Sequence, residues 1–142
     1  MDWYRKRTLS DVMDEAAARW GAREALVFGE RRWTYAQLNE EVNRAAKALI
    51  ALGVQNGEHV ALWMTNRPEW VFLMFGVARV GGCLVPLNTR YRTDDVAYAV
   101  RQSRSRTLIS LDRSGPIDYQ GMLAETMPSI ERHSDGRLRV DG

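Results

Sequence analysis

The sequence predicts an α/β fold built on a partial, mostly parallel sheet with helices on its faces, preceded by a helix and a small hairpin. Three largely apolar runs support this prediction, at residues 60–64, 83–87 and 107–111, and a helical segment follows each of them. Continuous apolar runs are typical of strands that are covered on both faces. Because strands alternate with helices here, we expect the three strands to lie parallel in one sheet.

Two amphipathic helices are predicted before the first of these strands. The first begins after Thr8, a suitable N-cap, and ends at Gly21. The second begins after Thr34, where Gln37 completes a capping-box pattern, and ends at Gly53. Apolar residues recur at helical spacing in both segments: Leu9, Val12, Met13, Ala16 and Trp20 in the first, and Leu38, Val42, Ala45, Ala46, Leu49 and Leu52 in the second.

A short hairpin is predicted between these two helices. Residues 25–28 and 31–34 are strand-like runs, and Gly29 and Glu30 separate them. A two-residue loop with glycine in first position suits a tight hairpin turn.

The helices that follow the three strands also have start signals. Asn66 as N-cap, an early Pro68 and the capping-box residue Glu69 begin one helix, and Thr93 begins the next. A short helix over 119–127 follows the third strand.

The chain divides at about residue 130. We expect one domain over residues 1–130. Residues 131–142 are polar and have no core-forming period, so we expect a poorly ordered tail there.

The charge pattern argues against nucleic acid as the main partner. The chain has 20 basic and 18 acidic residues, with a formal net charge of +2, and the two signs alternate along the sequence. Only Lys6 and Lys47 are lysines, so arginine dominates the cationic contacts available to the chain. Genome composition explains this arginine bias as well as ligand binding does.

Cysteine usage and the hydropathy pattern indicate the compartment. Cys83 is the single cysteine and lies in an apolar run, which predicts a buried, structural thiol. Acidic residues follow the basic start of the chain, where a secretion signal would need an apolar stretch. The apolar segment 70–87 is interrupted by glycines, Arg79 and Pro86, so a transmembrane span is not expected. These features predict a cytoplasmic protein.

The residues after the three strands are the candidate site. Ligands of open α/β sheets bind beyond the carboxyl ends of the strands. Arginines and short polar groups occupy those places, and guanidinium groups bind phosphate oxygens well. The residues are Thr65, Asn66, Arg67, Asn88, Thr89, Arg90, Arg92, Asp112 and Arg113. Structural roles remain open, because helix caps explain Asn66 and Thr93 and arginines are common in surface loops.

Several other kinds of site lack their motifs. The sequence has no phosphate loop of the Gly-x-x-x-x-Gly-Lys-Ser/Thr type and no Gly-x-Gly-x-x-Gly. His59 and His133 have no cysteine or acidic residue at ligand spacing, so no metal site is expected. Ser110 lacks the Gly-x-Ser-x-Gly context of a hydrolase nucleophile, and Thr65 and Asn66 replace the acidic pair of a receiver domain.

From about Thr8 to Met127 the sequence resembles the opening of the adenylate-forming superfamily. The resemblance rests on the order and spacing of several pieces, which are residues 33–35 with Leu38, 53–60, 66–69 and 80–88. Residues 88–92 and 117–119, with Met122 and Leu123, look more like AMP-forming acyl-CoA synthetases than like peptide-synthetase adenylation domains or luciferases. The resemblance implies the N-terminal portion of the large domain of such an enzyme.

The same resemblance implies an activity and its cofactors. Enzymes of this family use ATP with Mg²⁺ to convert a carboxylic acid, here expected to be fatty, into an acyl-adenylate, and then transfer the acyl group to coenzyme A. Their phosphate loop, Tyr-Gly-x-Thr-Glu segment, ribose-binding Asp and catalytic lysine have no counterpart here. We therefore assign no catalytic residue, expect the chain alone to be inactive, and expect no cofactor to bind tightly to it.

The resemblance also implies that this chain serves as a scaffold and forms part of the surface that binds the nucleotide of coenzyme A. The implied nucleotide-binding residues are Asn88, Thr89, Arg90, Arg92 and Arg113. A truncated, non-catalytic module that binds an anion or a partner is the alternative. The sequence does not identify the acid, and it leaves open whether the protein forms a homodimer.

Overall fold

The computed structural model describes residues 7–126, 130–132 and 138–140. Helices and short strands alternate along these residues. The helices are α1 Leu9–Trp20, α2 Tyr35–Ala51, α3 Pro68–Arg79, α4 Thr93–Ser103 and α5 Tyr119–Thr126. The strands are β1 Glu24–Phe28, β2 Arg31–Thr34, β3 His59–Trp63, β4 Cys83–Pro86, β5 Thr107–Ser110, β6 Arg113–Ser114, β7 Ile117–Asp118, β8 Ile130–Arg132 and β9 Leu138–Val140.

The three apolar runs form one parallel sheet, which confirms the predicted fold class. β3 is the central strand, with β4 on one side and β5 on the other. Val60 lies opposite Leu84 of β4 and Thr107 of β5 in the parallel register. The carboxyl ends of all three strands therefore point to the same edge of the sheet.

Alternate side chains of β3 face two different helical layers. Ala61 and Trp63 belong to a cluster with Val96 of α4 and Tyr119 of α5. On the opposite face, Val60 packs with residues of α2 and α3. Because the period of a strand is two residues, one fully buried strand supplies both halves of the core.

Helix α1 and the β1–β2 hairpin pack together at one end of the layer formed by α2 and α3. Met13 of α1 is buried in a cluster with Leu38 and Val42 of α2 and Phe72 of α3. The hairpin pairs antiparallel, and Gly29 in its turn has a φ of +59°. Glycine adopts this left-handed conformation without steric cost.

The predicted capping box at Thr34 is present, and Thr8, predicted as an N-cap, also forms a capping box. Thr8 Oγ1 accepts the Asp11 N–H at 3.1 Å, and Asp11 Oδ2 accepts the Thr8 N–H at 2.8 Å. Thr34 and Gln37 exchange the equivalent pair of bonds at the start of α2. These reciprocal bonds satisfy backbone donors that a helix N-terminus would otherwise leave unpaired.

Three details of the helix predictions are wrong. The N-cap of α3 is Arg67 rather than Asn66, with Pro68 at the first helical position. Arg92, and not Thr93, caps α4, and its N–H donates to Asp95 Oδ2 at 3.0 Å. Leu52, predicted as part of the apolar stripe of α2, is 44% exposed and follows the last helical residue.

The prediction of a buried Cys83 is also wrong. Cys83 is exposed. It is the first residue of β4, which lies at an edge of the three-stranded sheet and is exposed at both of its ends. An apolar run indicates a strand but does not specify how well each of its ends is covered.

The predicted tail contains two short strands that the sequence did not indicate. β8 and β9 pair antiparallel, with Glu131 opposite Arg139. Residues 127–129, 133–137, 141 and 142 lie outside the described residues, together with the predicted end of α5 at Met127. The disorder expected over 131–142 stays a prediction.

Candidate functional site

The loops after β4 and β5 leave the sheet beside the end of β3. The Leu87 N–H donates to Leu62 O at 2.9 Å, and the Leu111 N–H donates to Trp63 O at 3.4 Å. The Trp63 indole Nε1 donates to Asn88 O at 3.2 Å, and Trp63 is fully buried. A rigid, buried strand thus positions the start of the first candidate loop.

Asn88 organises its own loop. Its Oδ1 accepts the Arg90 N–H at 2.9 Å, and its backbone oxygen accepts the Tyr91 N–H at 3.0 Å. Such local bonds from asparagine stabilise turns. Asn88 and Arg90 are exposed, while Thr89 is half-buried. The Asn88 side chain therefore holds the turn, and the Arg90 side chain lies at the protein surface.

Arg92 lines a shallow groove between the start of α4 and α5. The groove has a volume of about 290 Å³. Its other lining residues are Pro116, Ile117, Asp118, Gly121, Met122 and Glu125. The groove is thus lined both by apolar side chains, those of Ile117 and Met122 among them, and by charged ones.

Arg113 reaches the same region through Asp118. The two residues lie opposite each other in the β6–β7 pair, and Arg113 Nη2 lies 2.7 Å from Asp118 Oδ2. Asp118 Oδ1 accepts the Gly121 N–H at 2.9 Å, so the backbone of α5 fixes this carboxylate. Both side chains are largely exposed, at 64% for Arg113 and 48% for Asp118.

The structure brings together two of the five predicted site residues. Arg92 and Arg113 both lie beside Asp118, whereas Asn88, Thr89 and Arg90 are not among the residues that line the groove. Two guanidinium groups here face two carboxylates, those of Asp118 and Glu125. An anion bound at the rim would gain from the arginines and be repelled by the acids.

Asp118 and the buried Tyr119 were not predicted as site residues from the sequence. Asp118 as the N-terminal cap of a short helix was a readable signal, but its pairing with Arg113 depends on a two-residue strand register. Tyr119 lies edge-on to Trp63 with ring centroids 4.7 Å apart. Among the described residues its hydroxyl has no hydrogen-bond partner, and burial raises the pKa of this phenol above its ordinary value.

The loop after β3 forms a separate charged group. Arg67 Nε lies 2.8 Å from Glu69 Oε2, and Arg31 of β2 lies 3.7 Å from Glu69 Oε1. Partial burial raises the pKa of the Glu69 carboxyl, but the hydrogen bond from Arg67, a backbone bond and the two positive charges outweigh it. The net result is a pKa below the ordinary value.

Asp112, after β5, has a structural role. Its backbone oxygen accepts the Tyr119 N–H at 3.0 Å, and its Oδ1 accepts the Arg113 N–H at 2.7 Å. These bonds fix the path of the chain from β5 into β6 and α5.

In the part of the chain that the structure describes, no group of three or more His, Cys, Asp or Glu side chains is arranged to hold a metal ion. The sequence also lacks a glycine-rich phosphate loop. We therefore assign no step of nucleotide chemistry to these residues.

None of the described helices is long and apolar enough to cross a membrane.

Comparison with known proteins identifies the family. The model of the AMP-binding enzyme family matches residues 13–138, which is most of the chain. The chain belongs to the AMP-binding enzyme family. The match spans the hairpin, the three-stranded sheet and the helices that cover it.

Curated and solved relatives of this AMP-binding family chain agree with the assignment. The crotonobetaine/carnitine–CoA ligase of Proteus mirabilis is 35% identical over 128 residues, which cover 87% of this chain and 24% of the ligase. The N-terminal domain of FACL13 from Mycobacterium tuberculosis is 34% identical, with a TM-score of 0.72 over 74% of this chain and 27% of that domain. The Klebsiella oxytoca NpsA N-terminal subdomain, solved with 3-hydroxyanthranilyl-AMSN, is 28% identical, with a TM-score of 0.73 over 78% of this chain and 28% of the subdomain.

The chain spans about a quarter of the length of the curated relatives that it matches. It corresponds to the N-terminal part of an adenylate-forming enzyme. Its α/β architecture, with a parallel three-stranded sheet, matches the N-terminal structures of that family.

Proposed function

We propose that this chain is part of an ATP-dependent acid–thiol ligase that joins a carboxylic acid, in our proposal a fatty acid, to coenzyme A. The main support is the family match over residues 13–138 together with the CoA ligases among the relatives. The described residues supply scaffold: a rigid parallel sheet whose carboxyl edge faces the place where ligands bind in open α/β folds.

The proposed reaction has two half-reactions. The carboxylate attacks the α-phosphorus of Mg-ATP, which forms an acyl-adenylate and releases pyrophosphate. The thiol of coenzyme A then attacks the acyl carbon, which forms the thioester and releases AMP. This sequence of steps follows from the family, and the residues that catalyse it are not among those described here.

Arg92 and Arg113 are our candidates for holding the phosphates of the coenzyme A nucleotide. Guanidinium groups form charge-assisted bonds to phosphate oxygens. Asp118 places Arg113 beside the groove that Arg92 lines. Asn88, Thr89 and Arg90 would then shape the neighbouring loop and its surface. We also propose a cytoplasmic location for this enzyme.

The complete open reading frame that contains this chain provides the test. The purified product is incubated with Mg-ATP and a panel of carboxylic acids of different chain length, and pyrophosphate release is measured with and without coenzyme A. Acid-dependent release, followed by thioester detected by mass spectrometry, is the expected result. The absence of both with every acid would overturn the proposed function.

The 142-residue chain is assayed in parallel. It should stay at the level of a heat-treated control, because preorganised groups that stabilise transferring charge supply most of the catalytic effect and are absent from it. Acid-dependent pyrophosphate release by this chain alone would contradict the assignment of a purely supporting role.

A further inference from the structure

Trp63 contacts the two segments that carry the candidate nucleotide-binding arginines, residues 87–92 after β4 and residues 111–119 after β5. Trp63 is the last residue of β3 and is fully buried. Its indole Nε1 donates to Asn88 O at 3.2 Å. Its backbone oxygen accepts the Leu111 N–H at 3.4 Å. One residue of the central strand therefore contacts both segments near the point where each begins.

The turn before Arg92 is held from the core. The Asn88 oxygen that accepts the Trp63 indole N–H also accepts the Tyr91 N–H at 3.0 Å. A carbonyl oxygen has two lone pairs and can accept both bonds. Leu87 and Tyr91, on the two sides of the turn, pack in the same apolar cluster as Trp63. The indole N–H thus joins the turn that precedes Arg92 to the centre of the sheet.

Tyr119 connects Trp63 to the second arginine. Its ring lies edge-on to the indole, with centroids 4.7 Å apart, and both side chains are fully buried. The Tyr119 N–H donates to Asp112 O at 3.0 Å. The preceding residue is Asp118, whose Oδ2 lies 2.7 Å from Arg113 Nη2. Because buried side chains are closely packed, a shift of the Trp63 ring would also shift Tyr119 and the neighbouring partner of Arg113.

We propose that Trp63 is a positioning residue that holds Arg92 and Arg113 in a fixed relation, so that both guanidinium groups reach the phosphates of one nucleotide. This inference rests on the proposed function, in which the two arginines bind the coenzyme A nucleotide. Both arginine side chains are exposed. Ordering exposed groups on binding costs entropy, and a rigid backbone below them lowers that cost. Trp63 supplies this rigidity through Asn88 and Tyr119, without touching the ligand.

Hydrogen exchange in the complete protein tests whether Trp63 joins the two segments. Trp63→Phe keeps an aromatic ring in the core and removes the indole N–H. The amides of Arg90 and Tyr91, which the turn protects, should then exchange about fivefold faster. The amides of residues 113–119 should also exchange faster. Trp33→Phe is the matched control, because Trp33 packs in the separate cluster of α1, α2, α3 and the hairpin and should leave both segments unchanged.

The Michaelis constant for coenzyme A shows whether binding needs this arrangement. Trp63→Phe should raise it about threefold to tenfold and leave the adenylation half-reaction, which needs no coenzyme A, nearly unchanged. Tyr119→Phe keeps the ring beside Trp63 and should have the Michaelis constant of the parent. Tyr119→Leu loses this ring contact and should raise the constant. Trp33→Phe should again match the parent.

The other outcomes distinguish this inference from the proposed function. Faster exchange in residues 87–92 alone would overturn the connection to Arg113. An unchanged Michaelis constant in Trp63→Phe, or equal damage to both half-reactions, would overturn the positioning role while the ligase function stands. A parent protein that forms no thioester would instead overturn the proposed function, and with it any role of Trp63 in binding.

A measurement on the parent protein covers the case in which a variant fails to fold. The nucleotide end of coenzyme A, 3′-phospho-ADP, is added to the complete protein and hydrogen exchange is followed. Residues 87–92 and 111–119 should both become protected over the same range of nucleotide concentration, because one ligand contacts two segments that move together. Protection of one segment alone, or of neither, would overturn the proposal.

Discussion

Arg79 at the end of α3 forms an ion pair with Asp14 of α1, with Nη2 and Oδ1 2.5 Å apart. The other nitrogens of this guanidinium are also bonded: Nε donates to Ser10 Oγ at 3.1 Å, and Nη1 donates to Asn43 Oδ1 of α2. The Arg79 side chain is only 14% exposed. One arginine of α3 thus joins this helix to α1 and α2.

Replacing Arg79 should destabilise the fold more than replacing Asp14. Arg79→Ala removes three bonds from a mostly buried side chain and should lower the free energy of unfolding by about 2–3 kcal/mol. Asp14 is 57% exposed, so Asp14→Ala should cost about 1 kcal/mol or less. Urea unfolding followed by circular dichroism measures both, with Arg44→Ala as a surface control expected within about 0.5 kcal/mol of the parent. Equal losses in all three variants would contradict this account.

Gly76 marks the closest approach of α3 to α2. A Cβ at this position would lie 2.9 Å from Ala45 Cβ and 3.2 Å from Ala46 N. Gly→Ala within an unobstructed helix stabilises by roughly 0.5–1 kcal/mol. Gly76→Ala should instead destabilise by about 1–3 kcal/mol, because the two helices must separate. Ala48→Gly at an exposed position of α2 measures the helix-propensity effect alone. A Gly76→Ala variant more stable than the parent would show that the packing is looser than described.

Removing the hydroxyl of Tyr119 should stabilise the fold. Its ring is fully buried against Trp63, and its hydroxyl lacks a partner among the described residues. A buried, unsatisfied hydroxyl costs about 1–3 kcal/mol. Tyr119→Phe keeps the packing and should raise the free energy of unfolding by up to about 1 kcal/mol, while Tyr119→Ala should lower it by about 3–5 kcal/mol. A loss on Tyr119→Phe would indicate that the hydroxyl finds a partner in solution.

The features that the sequence predicted well are local ones. Thr8 and Thr34 each form a capping box with a residue three positions later, so short-range chemistry alone determines where α1 and α2 begin. The apolar run around Val60 predicted a strand that is covered on both faces, and this strand is buried on both faces. The N-cap of α3 lies one residue later than predicted, at Arg67 instead of Asn66.

The features that the sequence could not predict depend on long-range contacts. Arg79 meets Ser10 and Asp14, which lie more than sixty positions earlier in the chain. The exposure of Cys83 depends on which strand lies at the edge of the sheet. At the candidate site, the strand ends indicated which loops to consider, and nucleotide binding there stays a prediction. The pairing of Arg113 with Asp118 needs the β6–β7 register.

The lowered pKa of Glu69 makes its contribution to stability depend on pH. A carboxyl with a lowered folded-state pKa stabilises the fold fully above its unfolded pKa of about 4.3, and this contribution is lost as the pH falls through the folded value. Glu69→Gln should therefore be less stable than the parent at neutral pH and approach it in acid. Because the side chain is 39% exposed, the difference at neutral pH should be below about 1 kcal/mol. A difference that stays constant down to pH 3 would exclude this origin.

The proposed nucleotide contacts can be tested in the complete ligase through the Michaelis constant for coenzyme A. Arg92→Ala and Arg113→Ala should each raise it by about threefold to tenfold, since a well-formed charged bond contributes about 1.5–3 kcal/mol and exposure reduces this. The adenylation half-reaction, which needs no coenzyme A, should be nearly unchanged. Arg106→Ala is the matched control, because Arg106 is 76% exposed, pairs with Glu58 and precedes β5, whereas Arg113 follows it.

Coenzyme A without its 3′-phosphate separates phosphate binding from loop structure. If Arg92 and Arg113 bind that phosphate, the variants and the parent should use the dephosphorylated form with similar Michaelis constants, because the contact is missing in all of them. Asn88→Ala should behave differently: its Oδ1 holds the turn through the Arg90 N–H, so both forms of coenzyme A should be affected alike. Equal damage to both half-reactions in the arginine variants would mean that these residues support the fold. Unchanged kinetics in both would remove the nucleotide site from this edge of the sheet.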